Sequence, residues 1–185
     1  MSEHKNAMRV DEKIIKNVLR HHDELLRQTY EQMIDVRKKI DEITRQSIEI
    51  ASYPKIDLSI ESNRGGEHWD LFDAYLKYQK LIRTQKEELI NEMHVLTIQA
   101  EGIHRIYLCF QILPRVEYRI INRIYVKGEL YKTVEEDFGL SHRIFEQKRQ
   151  QAIQIIQNVY KSDLSNEQIV YLCKGNSIIQ KERDV

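Results

Sequence analysis

Apolar residues recur at alternating intervals of four and three between residues 15 and 50, and this spacing constrains the fold more than any other feature. The seam positions are Ile15, Leu19, His22, Leu26, Thr29, Met33, Val36, Ile40, Ile43, Ser47 and Ile50. Such a heptad repeat is typical of a long helix that packs one stripe of side chains against another helix. We therefore expect a long amphipathic helix from Asp11 to about Ile50.

A second seam predicts another long helix, which begins near Glu67 or His68. Its positions are Phe72, Tyr75, Gln79, Ile82, Lys86, Leu89, Met93, Leu96, Ala100, Ile103, Tyr107 and Phe110. The segment between the seams, at about 52–66, contains Pro54, Gly65 and Gly66 and is expected to be a loop. The two seams indicate an antiparallel helical hairpin (coiled coil), although the same pattern could instead pair two subunits.

The composition predicts a helical cytoplasmic protein without catalytic chemistry. Only 6 glycines and 2 prolines occur in 185 residues, so few positions interrupt a helix. No stretch approaches the roughly 20 apolar residues of a membrane span. The 2 cysteines, Cys109 and Cys173, lie in no zinc-binding spacing, and we find neither a nucleophile–base group nor a phosphate-binding glycine loop. We therefore expect no enzyme activity, no metal and no cofactor.

The C-terminal part of the chain begins with a third predicted helix and a short fourth one. The third helix is expected from Arg115 to about Lys127, and Gly128 ends it. The short fourth helix holds Val134 and Phe138 on its inner side. Together they precede a turn that gives this region the outline of a helix-turn-helix.

The turn and the next helix complete that outline. Gly139 supplies the tight turn, where a residue without Cβ takes positive φ, and Leu140 fills the corner. Ser141 is placed to cap the following helix, because its hydroxyl could accept a hydrogen bond from a free N–H of the first turn. With Phe145 on the inner face, the segment 141–159 is the expected recognition helix in a DNA major groove.

The outward positions early in this helix carry side chains suited to DNA. The predicted DNA-binding residues are Lys132, Ser141, His142, Arg143, Glu146, Gln147 and Arg149. Arginine pairs with guanine, glutamine pairs with adenine, and glutamate accepts a hydrogen bond from cytosine. The whole chain holds 29 basic and 29 acidic residues, so DNA affinity must come from a local patch. Between positions 115 and 161, 9 basic residues oppose 6 acidic ones, which suits a weak or assisted DNA reader.

Several runs in this region resemble a known family. They are Arg123-Ile124-Tyr125-Val126-Lys127-Gly128, Tyr131-Lys132-Thr133-Val134, Phe138-Gly139-Leu140-Ser141 and Ala152-Ile153. They are similar to the sigma-factor domain that reads the upstream promoter element (region 4), and more so to phage activators of the RinA/ArpU type. The resemblance implies that Arg143, Glu146 and Gln147 read bases and that His142 contacts phosphate. Three residues depart from the family pattern: Leu130, Glu135 and Lys148.

These observations predict an all-α protein with two domains. A helical hairpin is expected over 1–112 and a sigma-like helix-turn-helix domain over 113–185, with a last short helix from about Asn166 to Lys174 that Gly175-Asn176 closes. The expected function is sequence-specific regulation of transcription, most readily as an activator of phage or mobile-element late genes. Expected partners are double-stranded DNA, RNA polymerase and a second copy of the chain bound through the N-terminal helices.

Two other functions fit the same elements. A DNA-packaging protein resembling a small terminase subunit also joins a helix-turn-helix to helical oligomerisation elements, although its DNA-binding part usually comes first. A coiled-coil adaptor that binds RNA polymerase or another protein needs no DNA contact at all. The operator sequence, the sign of regulation, the oligomeric state and action as a full sigma factor stay open at this point.

Overall fold

The fold was analysed in a computed structural model, which describes residues 10–52 and 71–181. These residues form six α-helices and no strand, so the predicted all-α class is confirmed. The helices are α1 (Glu12–Ser52), α2 (Leu71–Gln111), α3 (Arg115–Ile121), α4 (Tyr131–Phe138), α5 (His142–Lys161) and α6 (Asn166–Lys181). Apart from Ser52, which ends α1, the predicted loop at 52–66 and the predicted start of the second helix lie outside the described residues.

The two long helices, α1 and α2, pack against each other. The ring of His22 in α1 stacks on that of Tyr107 in α2, with centroids 4.1 Å apart. Farther along α1, Ile43 lines a shallow groove together with Leu89 of α2. Because higher positions in α1 lie beside lower positions in α2, the helices run antiparallel, as the two seams predict.

The chain forms two compact units. Unit 1 contains the described residues up to Gln28 and those from Gln99 onward, whereas unit 2 contains those within Thr29–Ile98. Each long helix therefore contributes to both units. This division differs from the expected domains 1–112 and 113–185, because the start of α1 and the end of α2 belong with the C-terminal helices.

Unit 1 has a core to which all six helices contribute. Its most deeply buried side chains are Ile15, Leu19, Cys109, Phe110, Leu113, Ile120, Ile121, Val134, Phe145, Ile156 and Ile169. Burial of one such side chain contributes roughly 1.5–3 kcal/mol relative to leaving it exposed. The helix-turn-helix segment is thus held in place by the ends of the two long helices as well as by its own neighbours.

The third helix differs from the prediction in its second half. The α-helix ends at Ile121, and a π-helical turn follows from Asn122 to Val126, with the N–H of Lys127 donating to the carbonyl of Asn122 at 2.8 Å. This wider turn places Ile124 and Tyr125 together in the core. Gly128 follows at φ 69°, which confirms glycine as the end of this segment.

The last helix is longer than predicted. Ser165 and Gln168 form a capping box at its start: the N–H of Gln168 donates to the hydroxyl of Ser165, and the N–H of Ser165 donates to the side-chain carbonyl of Gln168. The helix then continues to Lys181 instead of closing at Gly175-Asn176. A single glycine inside a helix costs only about 1 kcal/mol, which does not end a helix by itself.

Candidate nucleic-acid interface

The turn between α4 and α5 has the geometry expected of a helix-turn-helix. Gly139 ends α4 in the left-handed region, at φ 59° and ψ 20°, and its N–H donates to the carbonyl of Glu136 at 3.1 Å. No atom lies within 4 Å of the position that a Cβ of Gly139 would occupy. The backbone conformation, and not a lack of space, is therefore the reason for glycine at this turn.

The inner faces of α4 and α5 meet around one aromatic side chain. Phe145 is fully buried, and its ring lies edge-on to Tyr131 with centroids 5.2 Å apart. The ring of Phe138 lies 5.8 Å away, and Val134 is also fully buried. These contacts confirm the inward positions predicted from the sequence, and they fix which side of α5 faces solvent.

Ser141 occupies the N-cap position of α5, as predicted, but its hydroxyl makes no capping hydrogen bond, so that part of the prediction is wrong. Only its carbonyl serves the helix, by accepting from the N–H of Phe145 at 2.9 Å. The first turn is tied to α4 by His142 instead, whose Nδ1 lies 2.8 Å from a carboxylate oxygen of Glu135. The first N–H groups of α5 thus donate no hydrogen bond to the Ser141 hydroxyl.

None of the exposed residues of α5 is acidic. Its exposed residues are His142, Arg143, Ile144, Gln147, Gln150, Gln151, Gln154, Asn158 and Lys161. Amide and basic side chains dominate this face over the length of the helix. The only acidic residue of α5 is Glu146.

Glu146 is bound on several sides by its own chain. Its carboxylate accepts from Arg149 at 2.6 Å, from the hydroxyl of Tyr131 at 2.9 Å and from the amide of Gln150 at 3.0 Å. The hydrogen bonds from Arg149, and then those from Tyr131 and Gln150, lower the pKa of Glu146 to about 2. A contact from Glu146 to cytosine, as the resemblance implies, would have to replace these bonds.

Arg149 faces the protein, so its predicted outward position is wrong. Only 14% of its side chain is exposed, and its guanidinium contacts Glu12 at the start of α1 and the hydroxyl of Tyr125 in the π-helical turn. The hydrogen bond with Glu146 raises the pKa of Arg149, and burial raises the pKa of Tyr125 to about 12. Arg149 thus joins three separate segments and keeps its charge within the protein.

Lys148 pairs with a buried carboxylate that the sequence did not reveal. Its ammonium lies 2.8 Å from a carboxylate oxygen of Glu117 in α3, and Glu117 is only 4% exposed. The one signal in the sequence was the lysine itself, since the family pattern has an apolar residue at this position. A buried carboxylate on the neighbouring helix explains the departure.

Other acidic residues near α5 are paired as well. Arg123 contacts Glu129 at 2.5 Å and Asp137 at 2.6 Å. With the partners of Glu117, Glu135 and Glu146 already described, five of the six carboxylates between positions 115 and 161 have a basic or histidine partner. Their repulsion of an approaching phosphate is reduced accordingly.

Three of the predicted DNA-binding residues are exposed without such partners. Within the part of the chain that the structure describes, the side chains of Lys132 on α4 and of Arg143 and Gln147 on α5 make no hydrogen bond or ion pair with another residue. Arg143 and Gln147 lie one helical turn apart, so they share one face. Their side chains can bind a ligand directly, whereas Glu146 and Arg149 would first have to break hydrogen bonds within the protein.

Comparison with known proteins identified no related protein. No model of a protein family, no curated protein and no solved structure matches this chain significantly. Among the described residues, no helix is long and apolar enough to cross a membrane. The same residues contain no group of three or more histidine, cysteine, aspartate or glutamate side chains that could hold a metal ion.

Proposed function

We propose that this chain is a sequence-specific DNA-binding regulator of transcription, with the first two turns of α5 in the major groove. One observation carries the proposal. The exposed residues of α5 are basic or carry amides, apart from Ile144, whereas the single carboxylate of the helix is bound by Arg149, Tyr131 and Gln150. This face stands on a helix-turn-helix whose turn and core have the expected geometry.

The exposed groups divide between bases and phosphates. Arg143 is suited to guanine and Gln147 to adenine, since each can form two hydrogen bonds with the major-groove edge of that base. Lys132, Ser141 and His142 are suited to phosphate oxygens, together with the free N–H groups of the first turn. Arg149 and Glu146 act within the protein, where they hold α5 in place.

We further propose that unit 2 pairs two copies of the chain. Its two helices expose large apolar side chains at Tyr30, Ile34, Ile48, Leu76, Leu81, Ile90, Val95 and Ile98. A helix that is apolar beyond one stripe usually has a second partner. Two copies would also double the contacts of a reader whose local basic excess is small, as in other dimeric helix-turn-helix proteins.

The assembly proposal is tested by light scattering on the eluting protein at the concentration used for DNA binding. A dimer supports it. A monomer would contradict it and leave the exposed apolar residues to RNA polymerase or another protein. A ring of many subunits would favour the DNA-packaging function instead.

The transcriptional part of the proposal rests on the resemblance to RinA/ArpU-type activators. If it holds, a reporter gene placed behind the late promoter of the same genetic element responds to the protein. A reporter that ignores the protein, although the promoter fragment is bound, would contradict activation and leave DNA binding intact.

DNA binding itself is tested by a gel-shift scan across fragments of the surrounding genetic element at moderate salt. We expect one or a few fragments to be selected. The Arg143→Ala/Gln147→Ala variant should lose this preference, because each two-bond contact discriminates by about 1–3 kcal/mol.

The matched control is Gln154→Ala/Lys161→Ala, which also removes one amide and one cation from the exposed face of α5. Since these residues lie far from the first two turns, this control should keep the same preferred fragment. A scan in which nothing is selected, or in which both variants behave as the parent does, would contradict the proposal.

A further inference from the structure

Ile144 lies in the first turn of α5, and its apolar side chain is 46% exposed on a helix whose other exposed residues are polar. We propose that Ile144 is a third sequence-reading side chain and that it contacts the methyl group of a thymine. This inference rests on the proposed function, because it concerns the same face of α5.

The position of Ile144 on the helix places it beside both polar readers. It directly follows Arg143 and precedes Gln147 by three residues, and side chains three or four positions apart are neighbours on a helix surface. Phe145 is buried on the protein side of α5, so Ile144 does not belong to that core contact. A groove that receives Arg143 and Gln147 would therefore receive the isoleucine as well.

The chemistry of isoleucine selects one feature of DNA. Its side chain has no hydrogen-bonding group, so it gains nothing from phosphates or from the polar edges of bases. The major groove offers one apolar group, the C5-methyl of thymine, which side chains without polar atoms commonly contact. The DNA site should then contain an A·T pair next to the bases that Arg143 and Gln147 read.

Other exposed apolar residues of unit 1 lack this context. Val116 lies in the first turn of α3, Leu130 precedes α4, and Tyr171 and Leu172 lie on α6. They lie on elements other than α5, and exposed apolar residues of this kind are usual on protein surfaces. Of these residues, only Ile144 lies on α5, between the two residues that are proposed to read bases.

The test uses the fragment selected by the full-length protein and replaces each thymine in turn by uracil, which removes only the methyl group. Binding is measured by fluorescence anisotropy for the parent, for Ile144→Ala and for the control Val116→Ala. For the parent, uracil at one of the thymine positions should raise the dissociation constant by about 3- to 10-fold. Burial of one methyl-sized group changes a dissociation constant by about a factor of four.

The variants assign the methyl contact to a residue. Ile144→Ala should bind the thymine site less tightly than the parent, and it should not distinguish thymine from uracil at that position. Val116→Ala should keep the full preference for thymine. Both substitutions are at exposed positions, so each variant is expected to keep the thermal midpoint of the parent.

Two results would overturn the inference and leave the proposed function intact. The parent could tolerate uracil at every position while Arg143→Ala/Gln147→Ala still loses its preference. Alternatively, Ile144→Ala could keep the sensitivity to uracil, which would assign the methyl contact to another residue. If no fragment is selected at all, the proposed function fails and the role of Ile144 fails with it.

Discussion

The five-residue pattern Glu-x-x-Arg-Gln occurs in both units, but its contacts differ between them. In α1 of unit 2, Glu42 accepts hydrogen bonds from Arg45 and Gln46, and in α5 of unit 1, Glu146 accepts them from Arg149 and Gln150. The unit 2 cluster is exposed, and its charges meet only neighbours on one helix. The α5 cluster is half-buried and also reaches Tyr131, Glu12 and Tyr125.

This difference predicts how strongly each cluster stabilises its unit. An ion pair between residues three or four positions apart on an exposed helix contributes about 0.3–0.5 kcal/mol. When the same arginine also satisfies groups on other segments and is shielded from water, its removal leaves buried partners without a hydrogen bond. The α5 cluster should therefore fix the recognition helix, whereas the unit 2 cluster should add little.

Arg149→Ala gives the largest expected effect. We expect a loss of about 3 kcal/mol in the free energy of unfolding, since Glu12, Tyr125 and Glu146 lose a shared partner. Urea unfolding followed by circular dichroism measures the change. A loss below about 1 kcal/mol, in the range of a surface pair, would remove the distinction between the two clusters.

Lys148→Met should cost about 2 kcal/mol, because Glu117 is then buried without its ionic partner. The matched control in unit 2 is Lys38→Met, whose lysine pairs with the exposed Asp35, and it should change stability by less than about 0.5 kcal/mol. The double variant Glu117→Leu/Lys148→Met should recover most of the loss, since neither charge remains. No recovery would show that the ion pair does not account for the loss.

Glu146→Gln tests the α5 cluster through pH. The pKa of Glu146 is lowered from 4.5 to about 2 in the folded protein, so its stabilisation is fully present above pH 4.5 and is lost as the pH falls toward 2. We expect the parent to exceed the variant by about 1–2 kcal/mol at pH 6 and the difference to shrink steadily below pH 4.5.

The difference is measured from the thermal midpoints of the parent and of Glu146→Gln between pH 2.5 and 6. Glu42→Gln is the control, because its carboxylate pairs with the corresponding residues of unit 2 but is exposed to water. An equally large pH-dependent difference for Glu42→Gln would contradict the account.

Arg45→Ala has the smallest expected effect. We expect at most about 0.5 kcal/mol of destabilisation, and this should vanish in 1 M salt, where exposed pairs are screened. The same urea experiment at low and high salt measures it. A cost near that of Arg149→Ala would mean that the unit 2 arginine has contacts of comparable weight.

Much of the architecture follows from local patterns, and these were readable in the sequence. The seams predicted the two long helices, and Gly139 with Phe145 predicted the turn and the inner face of α5. These features depend on neighbours within a few residues, so periodicity and backbone preference are sufficient. The π-helical turn after Ile121 was missed because Gly128 marks only where this segment ends. The length of α6 was missed because a single glycine such as Gly175 does not end a helix by itself.

The candidate site was only partly predictable for the same physical reason. Helical spacing placed Arg143 and Gln147 outward, and the structure agrees. The same spacing placed Arg149 outward, but a long flexible arginine can reach carboxylates on distant segments such as Glu12. No local pattern reveals a partner that is 137 positions away. Ile144 has no hydrogen-bonding group, so the pattern of basic and amide residues on α5 did not point to it.

The central claim is that the first two turns of α5 read DNA sequence, and one affinity ratio tests it most directly. Fluorescence anisotropy gives the dissociation constants of the parent and of Arg143→Ala/Gln147→Ala for the selected fragment and for a scrambled fragment of the same composition. We predict a strong preference in the parent and a ratio near one in the variant, with binding to the scrambled fragment reduced much less. An unchanged ratio in the stably folded variant would contradict the account.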